Sequence, residues 1–283
     1  MKWDIPEEPL NLDIPTLGGK FLWADIHLLA GWRIQRNILS NHYRLLDDKN
    51  KRRAWGNQGH CQKKLDEFKV GLNLSFPKSH IFLLLHGLGR HSNSMKKPEK
   101  FLRQHDFAAY ALNYPSTFQS VEQHADGLEL LLNNLDGVTS VSFIGHSLGG
   151  LVAWELLSRK EGWRKRTTAR HLIMMGTPNN GARISDIMSS LKLFRAIAGP
   201  SAQDLLPYRR QNLTSPDIPT CIITGGRGTK AGFNPLLGED NDGIVTVNET
   251  KVDGMTSFTL INNIHTTLMN HPKSLQALLD FIK

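Results

Sequence analysis

From about residue 80 onward, short unbroken apolar runs alternate with stretches whose apolar residues recur every three or four positions. The runs Ile81–Leu85, Phe107–Leu112, Val141–Ile144, His171–Met175 and Thr220–Thr224 are each followed by a turn containing glycine or proline, or by a helical stretch. They predict buried strands, because a strand covered on both faces has no polar side to alternate with. Between them, Leu128, Leu131, Leu132 and Leu135 fall at i, i+3, i+4 and i+7 and predict a helix over Val121–Leu135. Leu151–Ser158 predicts a second helix, directly behind the third run. Ser257–Ile261 is strand-like, and Pro272 opens a last helix with Leu275, Leu278, Leu279 and Ile282 on one face. Strand–helix alternation with short loops predicts an α/β fold with a mostly parallel, doubly wound sheet and helices on both faces.

Two segments break the rhythm. Residues 179–217 carry Gly181, Gly199, Pro200, Pro207 and Pro216 around an apolar tract, Ile187–Ile197, and predict a partly helical insertion that acts as a small cap. Residues 1–70 hold four of the six tryptophans (Trp3, Trp23, Trp32 and Trp55), which predicts an extension packed on the core rather than a loose tail. Within Phe21–Leu39, Leu22, Ile26 and Leu29 share a helical face. The expected division is therefore an N-terminal extension, 1–70, and a main domain, 71–283.

Composition narrows the function classes. The longest aliphatic–aromatic run, Ile81–Leu85, falls far short of the ~20 residues a membrane-spanning helix requires. Thirty-four Lys and Arg against 26 Asp and Glu give a formal charge of +8. The basic clusters Lys49–Arg53 and Arg159–Arg170 lack the interleaved aromatics of a base-stacking surface, so no nucleic-acid partner is expected. The basic excess together with Phe21–Leu39 leaves room for weak peripheral contact with a membrane. The acidic, proline-broken start Met1–Pro9 has no apolar signal core, and the two cysteines, Cys61 and Cys221, suit a reducing compartment; a cytoplasmic protein is expected. Two thiols build neither a disulfide framework nor a four-cysteine zinc site, and the histidines show no H-E-x-x-H spacing, so no metal is expected.

The chemistry concentrates in Gly145-His146-Ser147-Leu148-Gly149, followed by Gly150. A predicted strand leads into this stretch and a predicted helix leaves it, which is the context in which G-x-S-x-G forms a nucleophile elbow. Gly145 and Gly149 permit the tight turn, Ser147 is lifted above the sheet, and the Leu148 N–H falls at a helix N-terminus. The end of the first core strand supplies His86-Gly87-Leu88-Gly89, where the Leu88 N–H is the natural second donor to a developing oxyanion. A serine needs a base oriented by a carboxylate, and in this chain order the acid and then the histidine follow. Asp242, in a polar loop before Ile244-Val245, is the favoured acid, with Asp240, Glu239 and Asp217 as rivals. His265 is the favoured base; His271, which abuts Pro272, reads as a helix-start residue. Asp240, Asp242, Gly243 and Glu249 also match calcium-loop positions counted from Gly238, but a glycine at the first position and Pro235 in the preceding helix argue against a calcium site.

With these residues in hand, 80–283 resembles an α/β-hydrolase of the lipase and esterase branch. The resemblance is carried by His86-Gly-Leu-Gly, Gly145-His-Ser-Leu-Gly-Gly, Gly176-Thr-Pro-Asn-Asn-Gly181, Asp242-Gly-Ile-Val and His265-Thr-Thr-Leu. The Gly-Thr-Pro stretch is similar to that of bacterial triacylglycerol lipases and GPI-inositol deacylases. The resemblance implies the α/β-hydrolase fold, a Ser147–His265–Asp242 triad, Leu88 and Leu148 as oxyanion donors, no cofactor, and a small-molecule or lipid acyl ester as substrate. A thioesterase, amidase or acyltransferase would use the same triad, and a catalytically idle member would serve as a binding module.

Overall fold

The computed structural model describes residues 20–159, 162–181, 200 and 216–283, and their strands fall into two sheets. The first is antiparallel, in the order β1 (Trp23–Leu29), β2 (Trp32–Asn37), β3 (Tyr43–Leu46), β4 (Arg52–Gly56). It is followed by α1 (Gln58–Gly71), capped by the Asn57 side chain. Ile26, Leu29, Trp32, Ile34, Leu45 and Ala54 of this sheet bury themselves against Cys61 and Leu65 of α1. The helical face expected for Leu22, Ile26 and Leu29 does not form, because the segment is a hairpin. Leu29 pairs with Trp32, and the two residues between them, Ala30 and Gly31, have φ of 50° and 96°. Positive φ at both central residues is the geometry of the tight hairpin turn that matches strand twist.

The second sheet has six strands: β5 (His80–Leu85), β6 (Ala109–Ala111), β7 (Ser140–His146), β8 (Thr168–Met175), β9 (Thr220–Gly225) and β10 (Ser257–Ile261). Their order is β10-β9-β8-β7-β5-β6, and every neighbouring pair is parallel. The longer helices among the described residues of this part are α2 (Lys96–Gln104), α3 (Val121–Asn133), α4 (Leu148–Ser158) and α5 (Pro272–Ile282), and Val247–Thr250 forms a single helical turn. Strand alternation sorts the core into two layers. Ile81, Leu83, Phe143, Leu172 and Ile222 face α3 and α4 with Leu128, Leu131 and Leu151. Phe82, Leu84, Ile144, Ile173 and Ile223 face α2 and α5 with Leu102 and Leu278. Both layers are buried and apolar, which accounts for the unbroken apolar runs of the sequence. The strand expected over Phe107–Leu112 is shorter, since β6 is an edge strand whose only partner, β5, engages Ala109, Tyr110 and Ala111.

The chain leaves β5 for β6 on one side and returns to β7 on the other. The carboxyl ends of β5 and β7 therefore flank the point where the winding reverses, and in open α/β sheets the crevice above that point is where ligands bind. The segment expected to cap it lies, apart from residues 179–181, 200, 216 and 217, outside the described residues, Ile187–Ile197 included. Among the described residues no helix is long and apolar enough to cross a membrane.

Candidate active site

Ser147 stands between β7 and α4 with φ 53° and ψ −121°, a backbone conformation that an L side chain rarely adopts. The surrounding backbone holds it there. The Ser147 N–H donates to the Met175 carbonyl over 2.9 Å, and the Gly150 N–H donates to the Ser147 carbonyl over 3.0 Å. A Cβ on Gly145 would overlap the backbone of Gly149 and Gly150, and one on Gly149 would overlap the Leu85 carbonyl. The glycines of the motif thus allow the elbow to fold on itself and let α4 approach the end of β5. Leu148 is the first residue of α4, so its N–H has no carbonyl four residues back within the helix to bond.

The candidate acid and base lie at the same end of the sheet as Ser147, beyond the carboxyl ends of the strands. His265 follows β10 and is 6% exposed; Asp242 lies in the loop after β9 and is 1% exposed. His265 Nδ1–H donates to Asp242 Oδ2 over 2.7 Å, and the His265 N–H donates to the Asp242 carbonyl over 2.9 Å. The other carboxylate oxygen, Oδ1, accepts the N–H groups of Ile244 and Val245 at 3.0 and 2.8 Å. With Nδ1 committed as donor, Nε2 of a neutral His265 is the basic nitrogen. Gly176, at φ 58°, makes room for this pair, since a Cβ there would sit 3.2 Å from His265 Nδ1 and 3.3 Å from Asp242 Oδ2. Through β7–β8 pairing Gly176 directly follows Met175, the acceptor of the Ser147 N–H. The Gly-Thr-Pro stretch is thereby the backbone link between elbow and acid–base pair.

The rival acids are otherwise engaged. Asp240 accepts the N–H groups of Arg227 and Gly228, each at 2.8 Å, and Glu239 bonds Asn248. Asp217 is exposed before β9, at the opposite end of the sheet from Ser147. His271 caps α5, its Nδ1 accepting the Lys273 N–H at 3.2 Å. Among the described residues no group of three His, Cys, Asp or Glu side chains could hold a metal ion.

The run after β5 lies against the elbow, with the Cβ position of Gly87 3.3 Å from Ser147 Cβ and 3.0 Å from His146 Nδ1. The Gly87 carbonyl accepts His86 Nδ1–H at 3.0 Å and the Arg90 N–H at 3.3 Å. Because the peptide is trans, the Leu88 N–H points away from that carbonyl. Two histidines that sequence reasoning passed over shape this corner. His146 Nε2–H donates to the His265 carbonyl over 3.0 Å, tying elbow to base. His86 stacks on Tyr114, ring centroids 4.1 Å apart. Burial keeps both imidazoles neutral: His146 titrates well below its ordinary range, and His86 is pushed down to about 3. Only their position within the two glycine motifs marked these histidines in the sequence.

Known proteins place this architecture. A sequence model of the Alpha/beta hydrolase family matches residues 82–239, more than half of the chain. No curated protein matches the chain in sequence. Among solved structures, the mature lipase BlEst2 of Bacillus licheniformis superposes with a TM-score of 0.58 at 16% identity, covering 72% of this chain and 91% of that one. The product of the gene lin2722 of Listeria innocua gives 0.53 at 18% identity, covering 73% and 94%. Phospholipase PlaB of Legionella pneumophila gives 0.55 at 16% identity, covering 71% and 57%. At these identities the likeness is one of fold, and with the family match it has a plain consequence: the chain belongs to the alpha/beta hydrolase family.

Proposed function

We propose that the protein is a serine hydrolase that cleaves carboxylic (acyl) esters, with Ser147 as nucleophile, His265 as general base and acid, and Asp242 as the carboxylate that orients it. The observation that carries this reading is the backbone of Ser147, held at φ 53° and ψ −121° on a strand-to-helix turn at the carboxyl end of the sheet, the end where His265 and Asp242 meet at 2.7 Å. Strain of this kind persists only where the surroundings enforce it, and it concentrates at functional sites. In the first half-reaction, His265 Nε2 takes the Ser147 hydroxyl proton as Oγ bonds the acyl carbon. The carbonyl electron pair moves onto oxygen, which the Leu88 and Leu148 N–H groups receive. Collapse of this intermediate breaks the ester bond, and the departing alkoxide takes the proton from His265. Water then repeats the sequence on the acyl-enzyme and releases the acid. Asp242 holds Nδ1–H throughout. No cofactor enters.

Lipid-like acyl esters are the substrates we favour. The lipase and the phospholipase among the structural neighbours support that choice. The test is a fluorophosphonate probe on the purified protein, with the adduct mapped by mass spectrometry. Labelling at Ser147 that disappears in His265→Ala is expected. A wild-type protein that is labelled elsewhere, or that turns over no acyl ester in detergent micelles, would refute the reading.

A further inference from the structure

The antiparallel N-terminal sheet lies outside the stretch matched by the family model, which begins at residue 82. One of its faces packs on α1. The other carries Asp25, Arg33, Gln35 and Arg44, all at most 8% exposed. This buried polar face is connected. Gln35 Nε2 donates to Asp25 Oδ1 at 2.6 Å, Arg44 Nε donates to Gln35 Oε1 at 2.8 Å, and an Arg33 guanidinium nitrogen lies 3.8 Å from Asp25 Oδ2.

The network ends on Asn113, just beyond β6. The Asp25 N–H donates to the Asn113 carbonyl at 2.9 Å, and the Asn113 N–H donates to Asp25 Oδ2 at 2.8 Å. Asn113 Nδ2 donates to the Trp23 carbonyl at 2.6 Å, and Asn113 Oδ1 accepts the Ser92 N–H at 3.1 Å. Ser92 closes the run that begins at His86. The start of the same run is held by the next residue, Tyr114. Its N–H donates to His86 Nε2 at 3.5 Å, its hydroxyl donates to the His86 carbonyl, and its ring stacks on the imidazole. Residues 113 and 114 thus grip both ends of the loop that presents the Leu88 N–H, and Asp25 with Trp23 grips residue 113.

We infer that the N-terminal sheet is a positioning element for the oxyanion-binding loop of residues 86–92, acting through Asp25 and Asn113. The inference rests on the serine-hydrolase reading above. Asp25 and Asn113 touch neither substrate nor nucleophile; they set where a catalytic donor sits. Buried hydrogen bonds are directional, so releasing one lets the loop drift, and a misplacement of about 1 Å at a reacting centre costs on the order of 100-fold in rate.

The test uses the full chain, with the p-nitrophenyl ester that wild type turns over best and the corresponding thionoester, in which the carbonyl oxygen is sulfur. Sulfur is larger and a poorer acceptor, so the oxo/thiono rate ratio reports the fit of the oxyanion donors. In Asp25→Asn and Asn113→Ala, kcat on the oxygen ester should fall about 10- to 100-fold with KM within about twofold, and the ratio should fall with it. Ile34→Val, which loosens the same sheet on its α1 side, should leave the ratio unchanged. Amide exchange over Leu88–Ser92 should quicken in the first two variants and not in the third. An unchanged ratio with unchanged exchange, or a loss of kcat equal on both esters, would overturn the inference. Wild-type protein inert on both esters would instead overturn the hydrolase reading, and the exchange data alone would then decide whether the sheet holds the loop. Should Asn113→Ala fail to fold, Asp25→Asn, which keeps shape and one acceptor, carries the test.

Discussion

Replacing Ser147 by glycine removes the proposed nucleophile and should nevertheless make the protein more stable. Ser147 has φ 53° and ψ −121°, outside even the left-handed helical region in which asparagine and aspartate are at home. A non-glycine residue in such a position costs about 1–3 kcal/mol. Glycine removes that cost but loses about 0.5–1 kcal/mol through the greater freedom of its unfolded chain. The net expectation for Ser147→Gly is a gain of about 1 kcal/mol, within bounds of about 0 and 2.5 kcal/mol. Ser147→Ala is the matched control, since it also lacks the hydroxyl but keeps a Cβ and therefore the strain. Urea unfolding of both variants at equal m values isolates the backbone contribution. In thermal unfolding each kcal/mol corresponds to about 2–4 °C for a chain of this size. Both variants should be inactive on esters. A glycine variant no more stable than the alanine variant would show that the turn is unstrained, and the main support for the elbow would fall with it.

Asp242→Asn puts an amide against His265 Nδ1 and favours the wrong tautomer, so kcat on an acyl ester should fall about 10³- to 10⁴-fold with an unchanged circular-dichroism spectrum. Gly149→Ala places a methyl group against the Leu85 carbonyl and 2.8 Å from the His86 carbonyl. Both are backbone atoms of a central strand end, so a loss of about 3 kcal/mol or more is expected in denaturant unfolding. Acid should destabilise the fold through its buried imidazoles. His86 is pushed down by burial to about 3 and His124 to about 4, against an ordinary 6.5. The unfolded chain binds these protons below pH 6.5 and the folded one does not, so stability is full above that value and declines as pH falls toward 3–4. Between pH 7 and 5 each histidine should remove about 2 kcal/mol, read as a drop in the urea midpoint.

The parallel sheet was legible because both of its faces are apolar. Runs such as Ile81–Leu85 and His171–Met175 carry their own evidence of burial, and the glycines that follow them mark where the loops turn. The elbow was legible for a related reason, since Gly145 and Gly149 are required by contacts within six residues of Ser147 or with the neighbouring strand end. The N-terminal sheet was not legible. Its strands alternate apolar with charged or polar residues, so Arg33, Gln35 and Arg44 give no sign of burial in the sequence. Arg33 reaches the Ala111 carbonyl, 78 residues away, and Gln35 with Arg44 joins the network through Asp25, which bonds Asn113, 88 residues away. Composition marks the density of tryptophan there but not the pairing. His86 and His146 escaped in the same way, because their roles depend on Tyr114 and on the His265 carbonyl, neither of which is close in sequence.

The two kinds of contact around Ser147 have different physical standing. The elbow is held by backbone passing backbone, at Gly145 and Gly149, where a Cβ would fall 2.2–2.3 Å from backbone atoms, so its geometry is set by sterics and tolerates almost no substitution. The loop opposite is held by hydrogen bonds from residues 113 and 114, with Asp25 holding residue 113 in turn; such bonds are individually worth about 1 kcal/mol and can be exchanged without a clash. A strained nucleophile needs the first kind of support, because weaker contacts would let the turn relax. An oxyanion donor needs only correct placement, so the second kind suffices. It follows that substitutions at Asp25 or Asn113 should change rate far more than fold, whereas those at Gly145 or Gly149 should lose both together. On the proposed function, the N-terminal sheet is accordingly a part of the molecule where substitutions tune activity while the turn at Ser147 stays intact.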